Sequence, residues 1–569
     1  MGLTGSQALV EMLCAHEAKY VFGLPGDTST GLYEALFEAR HRITHIMTRD
    51  ERSAAFMADA YARLSCRPGI CEGPSGGGAT YIAPGVAEAQ YSSIPMICLT
   101  TDIPLRDEGR NVLTEMDQPA LFATITKWHG QVKSAARIPD IIRRAFRLAT
   151  SGRPGAVHLC LPSDVLAEEA GECALYGDPS CITYPSYRAR AEARAVEAAA
   201  AALLAARRPV LIAGGGAMIA AAWDEITALA DKLALPVGTS INGKGSIAED
   251  HPLSIGVVGE NGGRTYANDL VREADVILFV GCKTDSVTTM HWTIPPVAGG
   301  QTIIHLDADP AEIGNTYQTA IGLVGDAKLT LQDLLEAVGD IRRDAAPRAA
   351  EIAQRSRGWW ADFEQQAQAD TLPVKSQRII RELGSALPSD YVIAADPGTM
   401  TPFAAAYFRC AAGRHLVIPR AFGGLGYALP AVVGAQYARP NATVVGLIGD
   451  GSLGMSAGEM ETIRRLNLPV ILIHFNNRCF GWIKTLQHFY HQAKYCSVDF
   501  GQEDCVALAR SFGLHARRIE RPGELGDALR QAIARQEPTF LDVPTAPEYQ
   551  EVPPVARWQE AAAKRVTGN

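Results

Sequence analysis

The feature that most constrains this chain is a succession of short, continuously apolar runs. Examples are PMICLTTDIP at 95–104, PVLIAGG at 209–215, DVILFVG at 275–281, TIIHLDAD at 302–309, ATVVGLIGDG at 442–451 and PVILIHFNN at 469–477. Continuous rather than alternating apolarity suits parallel strands covered on both faces. Between the runs lie stretches such as SAGEMETIRRLNL at 456–468, whose apolar residues recur at helical spacing. Repeated strand–helix–strand units of this kind predict an α/β protein built on open, mainly parallel sheets.

Two polar stretches interrupt the succession. EEAGECALYGDPSCITYPSYRARAEA, within about 166–195, is turn-rich, and DIRRDAAPRAAEIAQRSRGWW, within about 340–375, is charged and helical before a proline-containing restart. They predict three segments, 1–170, 190–345 and 370–550, which suits a length of 569 residues. No fixed-period repeat or low-complexity tract occurs. The formal charge of −9 is spread without long single-sign runs, which argues against nucleic acid or an anionic membrane as the main partner. Twelve cysteines are scattered with no CxxC, so neither a zinc site nor a redox dithiol is signalled. The N-terminus lacks the pattern of a signal peptide, and no apolar run is long enough to span a bilayer. The expectation is a cytoplasmic enzyme.

The strongest chemical signal is Gly449-Asp450-Gly451-Ser452 followed by Asn476-Asn477. The chain between them reads as strand, loop, a helix over about 456–466, a Leu-Pro break and a second strand. In such a unit Asp450 and Asn477 emerge together at the carboxyl ends of adjacent strands, where open α/β sheets bind ligands. A carboxylate and an amide oxygen are hard ligands suited to Mg²⁺, and the glycines let backbone N–H groups approach a diphosphate at a helix N-terminus. The bland alternative is an ordinary strand-to-helix turn with an Asn pair in a loop. A second glycine cluster, AGGG at 213–216, is a weak nucleotide signal without a full GxGxxG. It keeps a nucleotide-binding oxidoreductase open as a reading of a different class.

GDGSLGMSAGEMETIRRLNLPVILIHFNN resembles the diphosphate/Mg²⁺ motif of thiamine-diphosphate-dependent enzymes, and the chain as a whole is similar to the acetolactate synthase and 2-oxo-acid decarboxylase group. The resemblance is carried in order by GLPG at 23–26, RDERSAAFMADAYAR at 49–63, PSGGGAT at 74–80, SSIP at 92–95, TEMDQ at 114–118, GRPGAVHLCLP at 152–162, RPVLIAGGG at 208–216, HLDADPAEIG at 305–314 and GGLGYALP at 423–430. It implies a pyrimidine-binding domain over 1–170, a central Rossmann-like domain over 190–345 and a diphosphate/Mg²⁺ domain over 370–550.

The resemblance also assigns residues. Glu51 would be the catalytic glutamate that hydrogen-bonds the aminopyrimidine ring and favours the imino tautomer that removes the thiazolium C2 proton. For this it must be largely buried, with a neutral form accessible near pH 7; an isolated glutamate at a helix start would instead be a solvated first-turn acid. The Gly423 carbonyl would accept from the exocyclic amine, and Leu425 would hold the cofactor bent, unless it is ordinary core. Gly398, Thr399 and Met400 would lie by the far side of the diphosphate, with Gly449, Asp450, Gly451, Ser452, Asn477 and Gly481 completing the cofactor site. Asp450, the Asn477 side chain and the Cys479 backbone carbonyl would ligate Mg²⁺. Gly26, Thr114, Trp482 and Leu486 would shape the substrate pocket, although a tryptophan there also suits plain packing.

Several departures bear on the substrate. Acetolactate synthases usually carry Phe-Gln-Glu where this chain has Leu113-Thr114-Glu115. TEMDQ is also similar to a segment of oxalyl-CoA decarboxylases and 2-hydroxyacyl-CoA lyases. No adjacent His pair occurs in the first segment, and Gly77 stands where a proline is common. The arginine-containing stretch associated with FAD in synthases is replaced by CKTDSVTTMHWT at 282–293, which counts against FAD or an adenine nucleotide in the central domain and leaves His291 and Trp292 as structural residues. The expected function is C–C bond formation or cleavage with thiamine diphosphate and Mg²⁺, by decarboxylating a 2-oxo acid and transferring the acyl anion. A lyase acting on an acyl-CoA is the alternative. A homodimer or homotetramer with active sites at subunit interfaces is implied by the family.

Overall fold

The structure is a computed structural model that describes residues 2–567. It contains three six-stranded parallel sheets. The first is formed by β1 (Tyr20–Gly23), β2 (Thr44–Met47), β3 (Gly69–Gly73), β4 (Met96–Asp102), β5 (Trp128–Gln131) and β6 (Ala156–Pro162), in the order β2-β1-β3-β4-β6-β5. The second is formed by β7 (Pro209–Ala213), β8 (Val237–Thr239), β9 (Ser254–Val257), β10 (Val276–Val280), β11 (Thr302–Asp307) and β12 (Ile321–Val324), in the order β12-β11-β10-β7-β8-β9. The third is formed by β13 (Tyr391–Ala395), β14 (Leu416–Val417), β15 (Thr443–Gly449), β16 (Ile471–Asn476), β17 (His515–Arg518) and β18 (Thr539–Pro544), in the order β14-β13-β15-β16-β18-β17.

The apolar runs are the buried strands expected of doubly covered sheets. Every residue of β4, β6, β10 and β16 is buried. The winding direction reverses between β1 and β3, between β7 and β10, and between β13 and β15; in the first and third sheets the last strand also turns back, β6 lying between β4 and β5 and β18 between β16 and β17. Such a reversal splays the connecting segments apart at the strands' carboxyl ends and opens a crevice there.

The chain divides into two compact units. One holds the residues up to Tyr187 together with 419–446 and 454–470; the other holds 188–418, 447–453 and the chain from Ile471 onward. At the centre of the first unit is the helix Glu51–Ser65, which starts at the N-cap Asp50, whose side chain accepts from the Arg52 amide at 2.8 Å, and ends at Cys66 in the left-handed region. Its run of small residues lets neighbours approach to backbone distance. A Cβ added at Gly434, on the helix Ala428–Ala438, would lie 2.0 Å from the Met57 carbonyl, and one at Gly85 would lie 2.3 Å from the Ala55 Cβ.

The segment after β15 differs from the expectation of a loop followed by one helix over about 456–466. Asp450 directly opens a short helix, Asp450–Ser456, and a second follows at Glu459–Arg465. An acid at the first position is favoured by the helix dipole, so the GDGS turn enters helix at once.

Candidate active site

The first unit gathers the GLPG and PSGGG segments at the winding reversal between β1 and β3. Glu51 is only 7% exposed, so it is not a solvated first-turn acid. The glycines make its space: a Cβ at Gly78 would lie 3.2 Å from the Glu51 Oε1, and one at Gly73 would lie 3.5 Å from its Cγ. Burial raises the Glu51 carboxyl above its ordinary range. Its own backbone N–H opposes the rise, and Asp50 and Glu72 add to it. Among the described residues no other side chain hydrogen-bonds this carboxyl, which leaves it for a ligand.

From Ser75, within the PSGGG turn, a chain of hydroxyls forms. Ser75 Oγ lies 2.7 Å from Thr114 Oγ1 and 3.2 Å from Thr28 Oγ1, which lies 2.8 Å from Thr101 Oγ1. Thr114 has φ +70°, and Gly76, at φ +65°, is where a Cβ would meet the Thr114 Cβ at 2.8 Å. Gly26 packs so tightly on Pro74 that a Cβ there would lie 2.4 Å from it. Leu113 is 83% exposed. At Gly77 the nearest atom to an added Cβ is 3.8 Å away. The site has room for a side chain there, so the glycine frees the turn without being demanded by packing.

The segment 421–426 carries Gly423 and Leu425. Buried Glu88, on the helix Gly77–Ser92, accepts from the backbone N–H of Phe422 at 2.9 Å and of Gly423 at 3.2 Å. Arg63 ties Glu88 (3.2 Å) to Asp59 (2.7 Å), and Tyr427 donates to Asp59. Gly423 has φ +73° with no atom within 4 Å of an added Cβ, and Leu425 is half-buried. Sequence reading missed this Asp59–Arg63–Glu88 network; its signal was charge inside the otherwise small and apolar stretches FMADAYAR and PGVAEAQY.

The second unit gathers the other expected residues at the reversal between β13 and β15. Gly398, Thr399 and buried Met400 follow β13 and open the helix Met400–Tyr407. A Cβ at Gly449 would lie 3.1 Å from the Met400 Cε, so the DPGTM and GDGS segments touch. Asp450 Oδ2 accepts from the backbone N–H of Asn477 at 2.9 Å and of Arg478 at 3.1 Å. Asn477 Oδ1 accepts from the Cys479 N–H at 3.2 Å. Burial pushes the Cys479 thiol up to about 12, and sulfur is a soft donor, unlike the hard oxygens that suit Mg²⁺. Ser452 is buried, and Gly451 faces the Phe480 ring, 2.4 Å from where its Cβ would be.

Gly481 opens the helix Gly481–Tyr490 against Glu548, whose Oε2 is 2.0 Å from an added Cβ. Glu548 is fully buried, and neither of its oxygens has a hydrogen-bond partner. Burial, reinforced by Glu551 and Asp450, pushes its carboxyl up to about 8. Trp482 rests on Trp558 with ring centroids 4.4 Å apart, and Leu486 is half-buried on the same helix. Two further residues missed by sequence reading, His474 and Asp542, lie beneath Asp450.

The glycine cluster after β7 has a packing role. A Cβ at Gly214 would lie 2.2 Å from the Gly281 carbonyl oxygen, and one at Gly216 would lie 2.7 Å from the Gly281 Cα. Close approach of the Gly281 backbone therefore accounts for Gly214 and Gly216.

Winding reversals lined with glycines and polar side chains are where open α/β sheets take up ligands, which marks this chain as an α/β protein of the ligand-binding kind. Comparison with known proteins gives the family. Residues 3–121 match the thiamine pyrophosphate enzyme N-terminal TPP binding domain, 196–334 the central domain and 396–543 the C-terminal TPP binding domain. The chain is 36% identical over 555 residues to a "Probable acetolactate synthase large subunit" of Methanocaldococcus jannaschii, covering 95% of this chain and 92% of that protein. It is 34% identical over 573 residues to the protein so described in Methanococcus aeolicus, covering 98% and 94%. It is 32% identical over 543 residues to the acetolactate synthase isozyme 3 large subunit of Escherichia coli, covering 93% and 92%. The chain belongs to the thiamine pyrophosphate enzymes and, among them, to the acetolactate synthase-like group.

Proposed function

We propose that this enzyme decarboxylates a 2-oxo acid and transfers the resulting acyl unit to a second carbonyl compound, with Mg²⁺ and thiamine diphosphate bound by the residues described above. The observation that carries the reading is Glu51, a buried carboxyl with raised proton affinity, flanked by glycines and left without a side-chain partner. When bound, thiamine diphosphate supplies a thiazolium carbon that can act as a carbanion sink. Glu51 holds a proton for a basic ring nitrogen and takes it back as the reaction proceeds. The Gly423 carbonyl accepts from an amine, and Leu425 props the bound molecule by shape.

Mg²⁺ fits the donor set. Asp450 and Asn477 supply side-chain oxygens next to one another in the chain's fold, and the Cys479 carbonyl, which the family resemblance implies, would be a third hard oxygen. In this reading Gly449, Gly451, Ser452 and Gly481 form the turn and helix start that hold the diphosphate, and Gly398, Thr399 and Met400 bound its far side. The same reading includes a homodimer or homotetramer, which light scattering measures.

A second reading, cleavage of an acyl-CoA, is favoured by the substrate-facing segment. Thr114 offers a short hydroxyl bonded to Ser75, and Leu113 stands exposed. This wall is smaller than a Phe-Gln pair and gives a bulky thioester more room. The deciding experiment supplies the holoenzyme with a panel of 2-oxo acids and acyl-CoA thioesters, following CO₂ release and carboligated product. Turnover of 2-oxo acids with C–C bond formation supports the leading reading. Release of free CoA-linked fragments, with no 2-oxo acid consumed, overturns it for the second.

A further inference from the structure

The strand β16 is buried along its whole length, and its pattern calls for apolar residues at each position. At 474 it carries histidine. The side chains of His474 and Asn476 fall on one face, two residues apart, and both turn toward Asp542 on the adjacent strand β18, where His474 and Asp542 are direct register partners. His474 Nδ1 lies 3.0 Å from Asp542 Oδ1, and Asn476 Nδ2 donates to the same oxygen at 2.9 Å. Arg518 stands 3.4 Å from the other Asp542 oxygen. Burial would raise the Asp542 carboxyl, but His474 and Asn476 hold it below its ordinary range. Asp542 is therefore a fixed acceptor for Nδ1–H, which sets the plane of the ring.

That leaves Nε2. It lies 3.4 Å from Asp450 Oδ1, the ion-pair contact on its open side, and has no aligned hydrogen bond of its own. The other Asp450 oxygen is already held by the amides of Asn477 and Arg478. The Asp450 carboxylate is thus gripped on one oxygen by backbone and faced on the other by a ring that Asp542 keeps oriented.

We infer that His474 is a positioning residue for the metal-binding carboxylate: through Nε2 it fixes the rotation of Asp450, and Asp542 fixes His474 in turn. The inference rests on the proposed Mg²⁺ site at Asp450. Its logic is that of an outer-shell partner, which holds a ligand in the one orientation a small cation accepts and so raises affinity without touching the metal. An apolar residue would fill the same space in β16 and leave Asp450 Oδ1 without this partner, its carboxylate held on one oxygen only.

The test is Mn²⁺ binding to the full-length protein in the presence of thiamine diphosphate, read by the loss of the free-ion electron paramagnetic resonance signal. Asp450→Ala tests the site itself: retention of wild-type affinity in that variant refutes the metal assignment and leaves His474 with nothing to position. With the site established by loss of binding in Asp450→Ala, His474→Leu is expected to weaken Mn²⁺ binding by about 10–100-fold. His474→Gln places an amide nitrogen where Nε2 stands and is expected to restore most of the affinity. His474→Asn reaches only toward Asp542 and is expected to behave like leucine. A His474→Leu protein with an unchanged melting temperature and unchanged Mn²⁺ affinity overturns the inference. Equal affinity in the Gln and Asn variants also overturns it, since a purely structural role would not separate them. If the leucine variant does not fold, the Gln–Asn comparison decides alone.

Discussion

The Glu88 carboxylate accepts from the backbone N–H of Gly423 at 3.2 Å, and it is the buried anion that holds the 421–423 turn in place. It is held in turn by Arg63 and by the Ser92 hydroxyl at 2.6 Å. Glu88→Gln keeps the volume but sets an NH₂ group against backbone donors and strips Arg63 of a charged partner. We expect a stability loss of about 2–3 kcal/mol in chemical denaturation. Thiamine diphosphate binding, followed by fluorescence titration, should weaken more than kcat falls, because the turn that carries Gly423 is loosened while Glu51 is untouched.

Glu51→Gln removes the titratable proton while preserving shape. The variant should still bind thiamine diphosphate, since Glu51 makes none of the diphosphate or metal contacts proposed here. Exchange of the cofactor's C2 proton, read by proton NMR after acid quench, should fall by at least about 100-fold, the usual worth of a positioned acid–base group. Exchange at the wild-type rate would remove Glu51 from its assigned role.

The sheets and the polar ends of β15 and β16 were legible because continuous apolar runs and the GDG and Asn-Asn positions are local patterns. The helix start at Glu51 was equally plain, since Asp50 caps it and small residues follow. What could not be read was which buried charges meet. Glu88 and Gly423 are 335 residues apart and Asp542 and His474 are 68 apart, so no window of sequence pairs them. The short helix beginning at Asp450 was also hidden, because glycine and serine in GDGS read as turn residues, while the packing of Gly451 on Phe480 lies outside the local pattern.

Glu548 predicts a pH dependence of stability with a definite sign. Its carboxyl is fully buried and pushed up to about 8 from an ordinary 4.5. A carboxyl whose folded value is raised binds its proton more tightly in the folded state. Stability is therefore greatest below the unfolded value and is lost progressively as pH rises from about 4.5 toward about 8. Glu548→Gln keeps the neutral form at every pH. In metal-free and cofactor-free buffer it should melt near the wild type at about pH 5 and above it at about pH 8. Parallel melting curves across that range would show that Glu548 is ionised in the fold.

Thr114 separates strain from recognition. A β-branched residue at φ +70° sits in a region that costs an L-residue about 1–2 kcal/mol, and here its hydroxyl reaches Ser75 at 2.7 Å. Thr114→Gly relieves the backbone but removes that hydroxyl from the chain running through Ser75 and Thr28 to Thr101. Glycine also regains freedom in the unfolded state, which offsets part of the relief, so thermal stability should change by less than about 1 kcal/mol in either direction. Substrate KM should rise while C2 proton exchange stays at the wild-type rate, because the Glu51 carboxyl takes no part in this hydroxyl chain. A fall in C2 exchange matching the fall in turnover would mean that Thr114 supports the glutamate and not the substrate wall.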